Sequence, residues 1–190
     1  MPSPAEQRAE WYSYEDYLSW DDDQRWELID GKAYLLAAPS TEHQRVSGAL
    51  YSRIYDFLEG KPCEVFSAPF AVRLDPERSW QAKGNVVEPD ISIVCNPEQL
   101  DERGCNGPPT LIIEILSRKN PEHDLVLKMN KYRDVGLKEY WVANPEAGKI
   151  TIYMLQQLGN DFIFKNSDIL RSPTFPDLEI PLANIFQNAN

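Results

Sequence analysis

Apolar and polar positions along this chain recur with two periods, and the changes of period mark its elements. Val46, Leu50, Ile54, Phe57 and Leu58 recur at helical spacing between Ser40 and Glu59, which predicts a long amphipathic helix. Thr41 with Gln44 fits a capping box at its start, and Gly60 and Pro62 end it. Period two governs Cys63 to Leu74, Val86 to Cys95 and Thr110 to Leu116, three predicted strands; Pro69 marks a break or edge in the first. Before the long helix, W-E-L-I and K-A-Y-L-L-A flank Asp30-Gly31, a hairpin signal because both central turn positions want positive φ. Ser13 with Asp16 caps a short helix over about 14–20. A further helix opens on Asn120-Pro121, buries Leu125, Met129 and Tyr132, and ends near Val135 with Gly136 beyond. Strands follow at 138–143, in I-T-I-Y-M-L, at 162–165 and at 169–170; the tail from Pro173 to Phe186 reads as a short edge strand and one helical turn. Residues 75–85 and 96–109 read as polar loops.

The fold class is therefore α+β (mixed α/β), with one sheet flanked by helices and extra strands at the C-terminus. The 190 residues suffice for one core, so residues 13–190 are expected to form a single domain behind a flexible polar segment, residues 1–12.

Composition narrows the function classes. Hydrophobic content of 42% and charged content of 26% are those of a globular protein, and no apolar run is long enough to span a bilayer. The first residues lack the apolar core of a signal peptide, so a cytoplasmic location is expected and no membrane partner. Cys63, Cys95 and Cys105 form no C-x-x-C pair and are odd in number, so they are expected to be reduced and structural. A net charge of −11 argues against a broad nucleic-acid binder, though not against a cation-assisted nuclease with modest, salt-sensitive affinity.

Two acids stand out against this background. On one strand Asp90, Ser92 and Val94 share a face; on the other Ile112, Glu114 and Leu116 do. A carboxylate among apolar neighbours must be paired or shift its pKa. Two of them on neighbouring strands fit a shared hard cation such as Mg²⁺, which needs only one or two carboxylates and keeps its waters (Mn²⁺ suits the same ligands). Plainer accounts stand beside this one. Pro89-Asp90 also begins a strand, Glu114 also suits a buried ion pair, and Glu27 also suits a sheet edge. His43 also suits a cap or core, Asp124 and Lys128 have the i, i+4 spacing of a surface ion pair, and Lys131 also suits solvent.

The pieces W-E-L-I-D-G-K, His43 opening the long helix, E-P-D-I-S-I-V, I-E-I-L-S and the run from Asp124 to Val142 together resemble the Uma-type restriction-endonuclease family. This is a domain of unknown function, abundant in cyanobacteria, in the PD-(D/E)XK nuclease superfamily. The resemblance covers roughly 14–186. It implies a core in the order α-β-β-β-α-β and Mg²⁺-dependent hydrolysis of phosphodiester bonds, with DNA as the expected substrate and RNA as the lesser alternative. It carries over Asp90 and Glu114 as metal ligands and Glu27 as an acid from earlier in the chain, with His43 and Asp124 in support. The superfamily lysine two residues after Glu114 is Leu116 here. The Uma-type pattern moves it to the next helix, where Lys128 matches and Lys131 is the substitute. A non-catalytic binding or oligomerising protein on the same scaffold is the alternative, and an exposed C-terminal strand edge would support a homodimer.

Overall fold

The computed structural model describes residues 10–21, 23–76, 78–117, 122–157 and 159–186, without the side chains of 122–124. Helix α1 (Tyr14–Leu18) starts on a reciprocal box in which Asp16 N–H donates to Ser13 Oγ and Ser13 N–H donates back to the Asp16 carboxylate. Tyr12, within the polar N-terminal segment, is buried, and its N–H donates to the Gly31 carbonyl at 2.7 Å. Asp30 and Gly31 take φ of 51° and 76°, closing the hairpin of β1 (Trp26–Ile29) and β2 (Lys32–Leu35) as the dipeptide requires. Helix α2 (Thr41–Leu58) buries His43, Val46, Leu50, Ile54 and Leu58. Its cap is Ser40, which accepts the His43 N–H, so the box expected at Thr41 lies one residue too late.

Two of the expected strands each divide at a proline. Residues 63–74 give β3 (Glu64–Ser67) and β4 (Val72–Arg73), on either side of Pro69. Residues 86–95 give β5 (Val86–Val87) and β6 (Ile91–Val94), on either side of Pro89. A proline has no N–H to offer a ladder, so the chain leaves one sheet and enters another at each. The expected loop over 96–109 instead holds a 3₁₀ turn and a small hairpin, β7 (Leu100–Asp101) and β8 (Gly104–Asn106). Gly104 is required there: its φ is 129°, and a Cβ would collide with the Ala71 carbonyl. The chain continues through β9 (Leu111–Ile115), α3 (Glu122–Asp134), β10 (Glu139–Asn144), β11 (Lys149–Met154), β12 (Phe162–Lys165), β13 (Ile169–Arg171), β14 (Glu179–Pro181) and α4 (Ala183–Phe186). The Asn120-Pro121 cap lies outside the described residues.

The one expected sheet is thus two six-stranded sheets, β2-β1-β5-β4-β8-β7 and β12-β11-β10-β9-β6-β3, with β13 and β14 forming a two-stranded third. In the larger chain path α2-β3-β6-β9-α3-β10, strand β9 pairs antiparallel with β6 and parallel with β10. That is the α-β-β-β-α-β order, and β12 lies at its outer end with Phe162 and Ile163 exposed.

The faces separate as the alternation requires. Ile91, Ile93, Leu111, Ile113, Ile115 and Trp141 pack with the α2 stripe. Val94, Ile112, Tyr140 and Val142 pack on the other side with Tyr132, joined by Leu116, Leu125 and Met129 and by Ile29 and Val87 of the first sheet. The acids Asp90 and Glu114 belong to this second face. Among the described residues, no helix is long and apolar enough to cross a membrane.

The cysteine expectation is overturned for two of three. Cys63 and Cys95 form a disulfide. The β3–β6 register pairs Glu64 with Val94, so one further step sets the two cysteines opposite each other. Cys105 stays free and buried, its thiol pushed up to about 12 by burial and by Asp101.

One buried carboxylate is wholly structural. Glu139, fully buried, accepts from Trp141 Nε1 at 2.6 Å, Ser172 Oγ at 2.9 Å and Thr174 N at 2.8 Å, tying the C-terminal segment to β10. Glu139→Ala strands these buried donors and should lower the unfolding free energy by about 3 kcal/mol. The change should appear as a lower urea midpoint with an unchanged m-value. A loss under about 1 kcal/mol would mean that water takes over the carboxylate's bonds.

Candidate active site

Register brings the two strand acids together. Ile91 stands opposite Ile113 and Ser92 opposite Ile112, so one further step sets Asp90 opposite Glu114. Each has one oxygen committed. Asp90 Oδ2 accepts the Ile115 N–H at 2.7 Å and lies 3.1 Å from His43 Nε2. Glu114 Oε1 accepts from Lys128 Nζ at 3.0 Å and Tyr132 OH at 2.9 Å. Among the described residues, Asp90 Oδ1 and Glu114 Oε2 accept no hydrogen bond.

Lys128 reaches the site from α3. Its Nζ also donates to Glu27 Oε1 at 2.8 Å, and the same oxygen accepts the Glu88 N–H at 2.9 Å. Arg25 then pairs with the Glu88 carboxylate at 2.7 Å. Leu116, standing where a strand lysine was expected, packs into the apolar cluster on this face. The i, i+4 surface pair suggested for Asp124 and Lys128 does not describe the lysine, which is directed at Glu27 and Glu114. The Asp124 side chain lies outside the described residues. Lys131 points elsewhere: its Nζ meets Asp30 Oδ1 at 2.6 Å, at the tip of the first hairpin. It is therefore neither at the acid pair nor loose in solvent.

The electrostatics follow from burial. The Glu114 carboxyl is pushed up to about 7 in all: burial raises it most, the Lys128 charge and hydrogen bond pull it down, and the Asp90 and Glu27 charges add to the rise. Burial favours a neutral Lys128, but Glu114 and Glu27 outweigh it and raise its pKa, so the ammonium stays charged. Burial lowers the His43 pKa, yet the hydrogen bond and charge of Asp90, with Glu114, leave it raised. Among the described residues, its Nδ1 is buried without a hydrogen-bond partner.

Asp90, Glu114, Lys128 and His43 line a cleft of about 1190 Å³ that runs along the start of α2. Glu27 does not line it; at 2% exposure it lies behind Lys128. The donor set can be compared with the expected cation. Two facing carboxylates, each with an oxygen to spare, fit a hard cation that retains water. No group of three or more His, Cys, Asp or Glu suited to a metal occurs among the described residues.

Sequence reasoning missed Arg25, Glu88 and Tyr132 as members of this network. Glu88 and Arg25 carried a signal in hindsight, since both flank acids on short strands. Tyr132 carried none beyond its place in the apolar stripe of α3.

A mixed sheet in this order, with an acid pair at its centre and a helix behind it, defines a restriction-endonuclease-like protein. Residues 14–183 match the family model "Uma2: Putative restriction endonuclease", and the chain belongs to that family. It is similar to the uncharacterized protein slr1290 of Synechocystis sp., with 25% identity over 144 residues, 74% of this chain and 73% of that protein. Its fold is similar to the crystal structure of a "putative nuclease belonging to DUF820" from Anabaena variabilis ATCC 29413. That match has a TM-score of 0.75 at 18% identity and covers 94% of this chain and 99% of the other.

The clamp on Lys128 makes a stability prediction. Lys128→Met leaves Glu27 and Glu114 buried without their cation and should cost about 3–5 kcal/mol. Adding Glu27→Gln and Glu114→Gln should recover part of that loss in urea titrations. A single-variant cost below about 1 kcal/mol would show that the lysine is not holding the acids.

Proposed function

We propose that this chain hydrolyses phosphodiester bonds in DNA with Mg²⁺ (or Mn²⁺), using Asp90, Glu114 and Lys128. The observation that carries this reading is the facing pair Asp90 and Glu114, each with one uncommitted oxygen in a cleft beside a charged lysine. Asp90 and Glu114 would hold the cation. When bound, it supplies Lewis-acid polarisation of the phosphodiester and lowers the pKa of water.

The remaining work falls to the protein. His43 and the Ile115 N–H fix one oxygen of Asp90, which sets the direction of the other. Lys128 keeps its proton, so it serves as a donor and positive charge, not as a base. Its bonds to Glu27 and Glu114 use two of three N–H groups, leaving one for a phosphate oxygen or an attacking water. Glu27 holds the lysine in place and is a positioning residue. Asp124, on the first turn of α3, belongs to the proposal only as a neighbour of that lysine in sequence.

A second reading has its own observation. Lys128 already neutralises Glu114, as a bound cation would, so the cluster also suits a non-catalytic scaffold. Plasmid and single-stranded DNA incubated with Mg²⁺ or Mn²⁺ separate the two. Wild-type protein should cut; EDTA, Asp90→Asn, Glu114→Gln and Lys128→Ala should each reduce the rate by at least about 100-fold. Mg²⁺ should raise the melting temperature of wild type but not of Asp90→Asn/Glu114→Gln. Cutting that survives these substitutions belongs to a contaminant, and absence of both cutting and the Mg²⁺ shift supports the scaffold.

A further inference from the structure

The cleft does not end at the acid pair. It follows α2 from Thr41 to Tyr51, about 15 Å of helix, and the Tyr51 ring is part of its wall. One turn on, Tyr55 stacks on Tyr51 with ring centroids 6.0 Å apart and planes 24° from parallel. Tyr55 is 56% exposed, a large apolar surface that the core does not use. Between the acids and the rings lies Gly48, where an added Cβ would meet nothing within 4 Å, so the helix backbone is bare. His43, Gly48, Tyr51 and Tyr55 therefore mark a continuous lane leading away from Asp90.

We infer that this lane binds a single-stranded nucleic acid, whose bases stack on Tyr55 and Tyr51 while its backbone passes Gly48 to the acid pair. The inference rests on the nuclease reading and adds the form of the substrate. Three observations favour a single strand over a duplex. Stacking needs exposed base faces, which a duplex hides. Cations along the cleft are few: Arg25 and Lys128 are already paired, leaving Arg45 and Lys149 without an ion pair among the described residues. A net charge of −11 opposes the dense phosphates of a duplex more than those of one strand. From His43 to Tyr55 the helix rises about 18 Å, room for on the order of five stacked nucleotides.

The test is fluorescence anisotropy in EDTA, where binding is read without hydrolysis. The probes are labelled oligothymidylate and oligouridylate of about twelve nucleotides, and a duplex of the same length. Both single strands should bind more tightly than the duplex, with a preference between them assigning DNA or RNA. Tyr55→Ala should weaken single-strand binding by about ten-fold, and Tyr55→Trp should restore it. Tyr51→Ala/Tyr55→Ala should weaken it further, with thermal melts confirming that the fold persists. Unchanged single-strand affinity in Tyr55→Ala, or equal loss on duplex and single strand, overturns the lane. If wild type cuts plasmid while the tyrosine variants bind normally, the lane fails and the nuclease reading stands. If tyrosine-dependent binding persists in a protein that never cuts, the nuclease reading fails alone.

Discussion

The Lys128 ammonium ties together by charge three parts of the chain that also share the apolar cluster of Ile29, Val87, Ile112, Tyr132 and Tyr140. It reaches Glu27, 101 residues away on β1, and Glu114, 14 residues away on β9. Both carboxylates are buried, and a buried carboxylate left without its partner is among the costliest defects a core can hold. The clamp therefore connects β1 of one sheet, β9 of the other and α3. It also leaves a charge imbalance. The three acids Glu27, Asp90 and Glu114 face two cations at most, Lys128 and, when protonated, His43. Burial first, and the Asp90 and Glu27 charges after it, push the Glu114 carboxyl upward, and under the proposed function a hard cation would oppose that rise.

The elements were largely legible because their period is local. The α2 stripe, the Asp30-Gly31 turn and the faces of β6 and β9 follow from side-chain spacing that the backbone geometry dictates. The separation of Asp90 and Glu114 from Ile91, Ile93, Ile113 and Ile115 was readable for the same reason. What failed was non-local. Period two continues across Pro69 and Pro89 as though the strand did, but the ladder does not, and the second sheet arises from those interruptions. The Cys63–Cys95 bond depends on the β3–β6 register, which no spacing rule between two cysteines encodes. The Tyr51–Tyr55 ring pair gave no signal either, since neither tyrosine belongs to the apolar stripe that marks α2 in the sequence.

The site illustrates a similar limit. Composition and periodicity single out Asp90 and Glu114 because each is a charge on an apolar face. They cannot rank Lys128 above Lys131, since both lie on one helix three residues apart. Position decides: Lys128 turns inward to Glu27 and Glu114, and Lys131 outward to Asp30. With the lysine supplied from α3, Leu116 is free to be apolar, and it fills the space beside Leu125 and Met129. Moving the cation from strand to helix thus exchanges a charged strand residue for packing on the same face.

Glu27 is where resemblance and geometry part. The family pattern presents it as an acid of the site, yet it stands behind Lys128 and outside the cleft wall. Its carboxylate accepts from the lysine and from the Glu88 backbone, and Glu88 is held in turn by Arg25, which does line the cleft. In the proposed mechanism its effect on a substrate passes through Lys128, by keeping the ammonium charged and fixed. A substrate phosphate competing for Arg25 would loosen Glu88, and through it the seat of Glu27. The rim of the cleft, where Arg25 and Glu88 stand, and the lysine at its floor are therefore linked through the Glu88 backbone N–H and the Glu27 carboxylate.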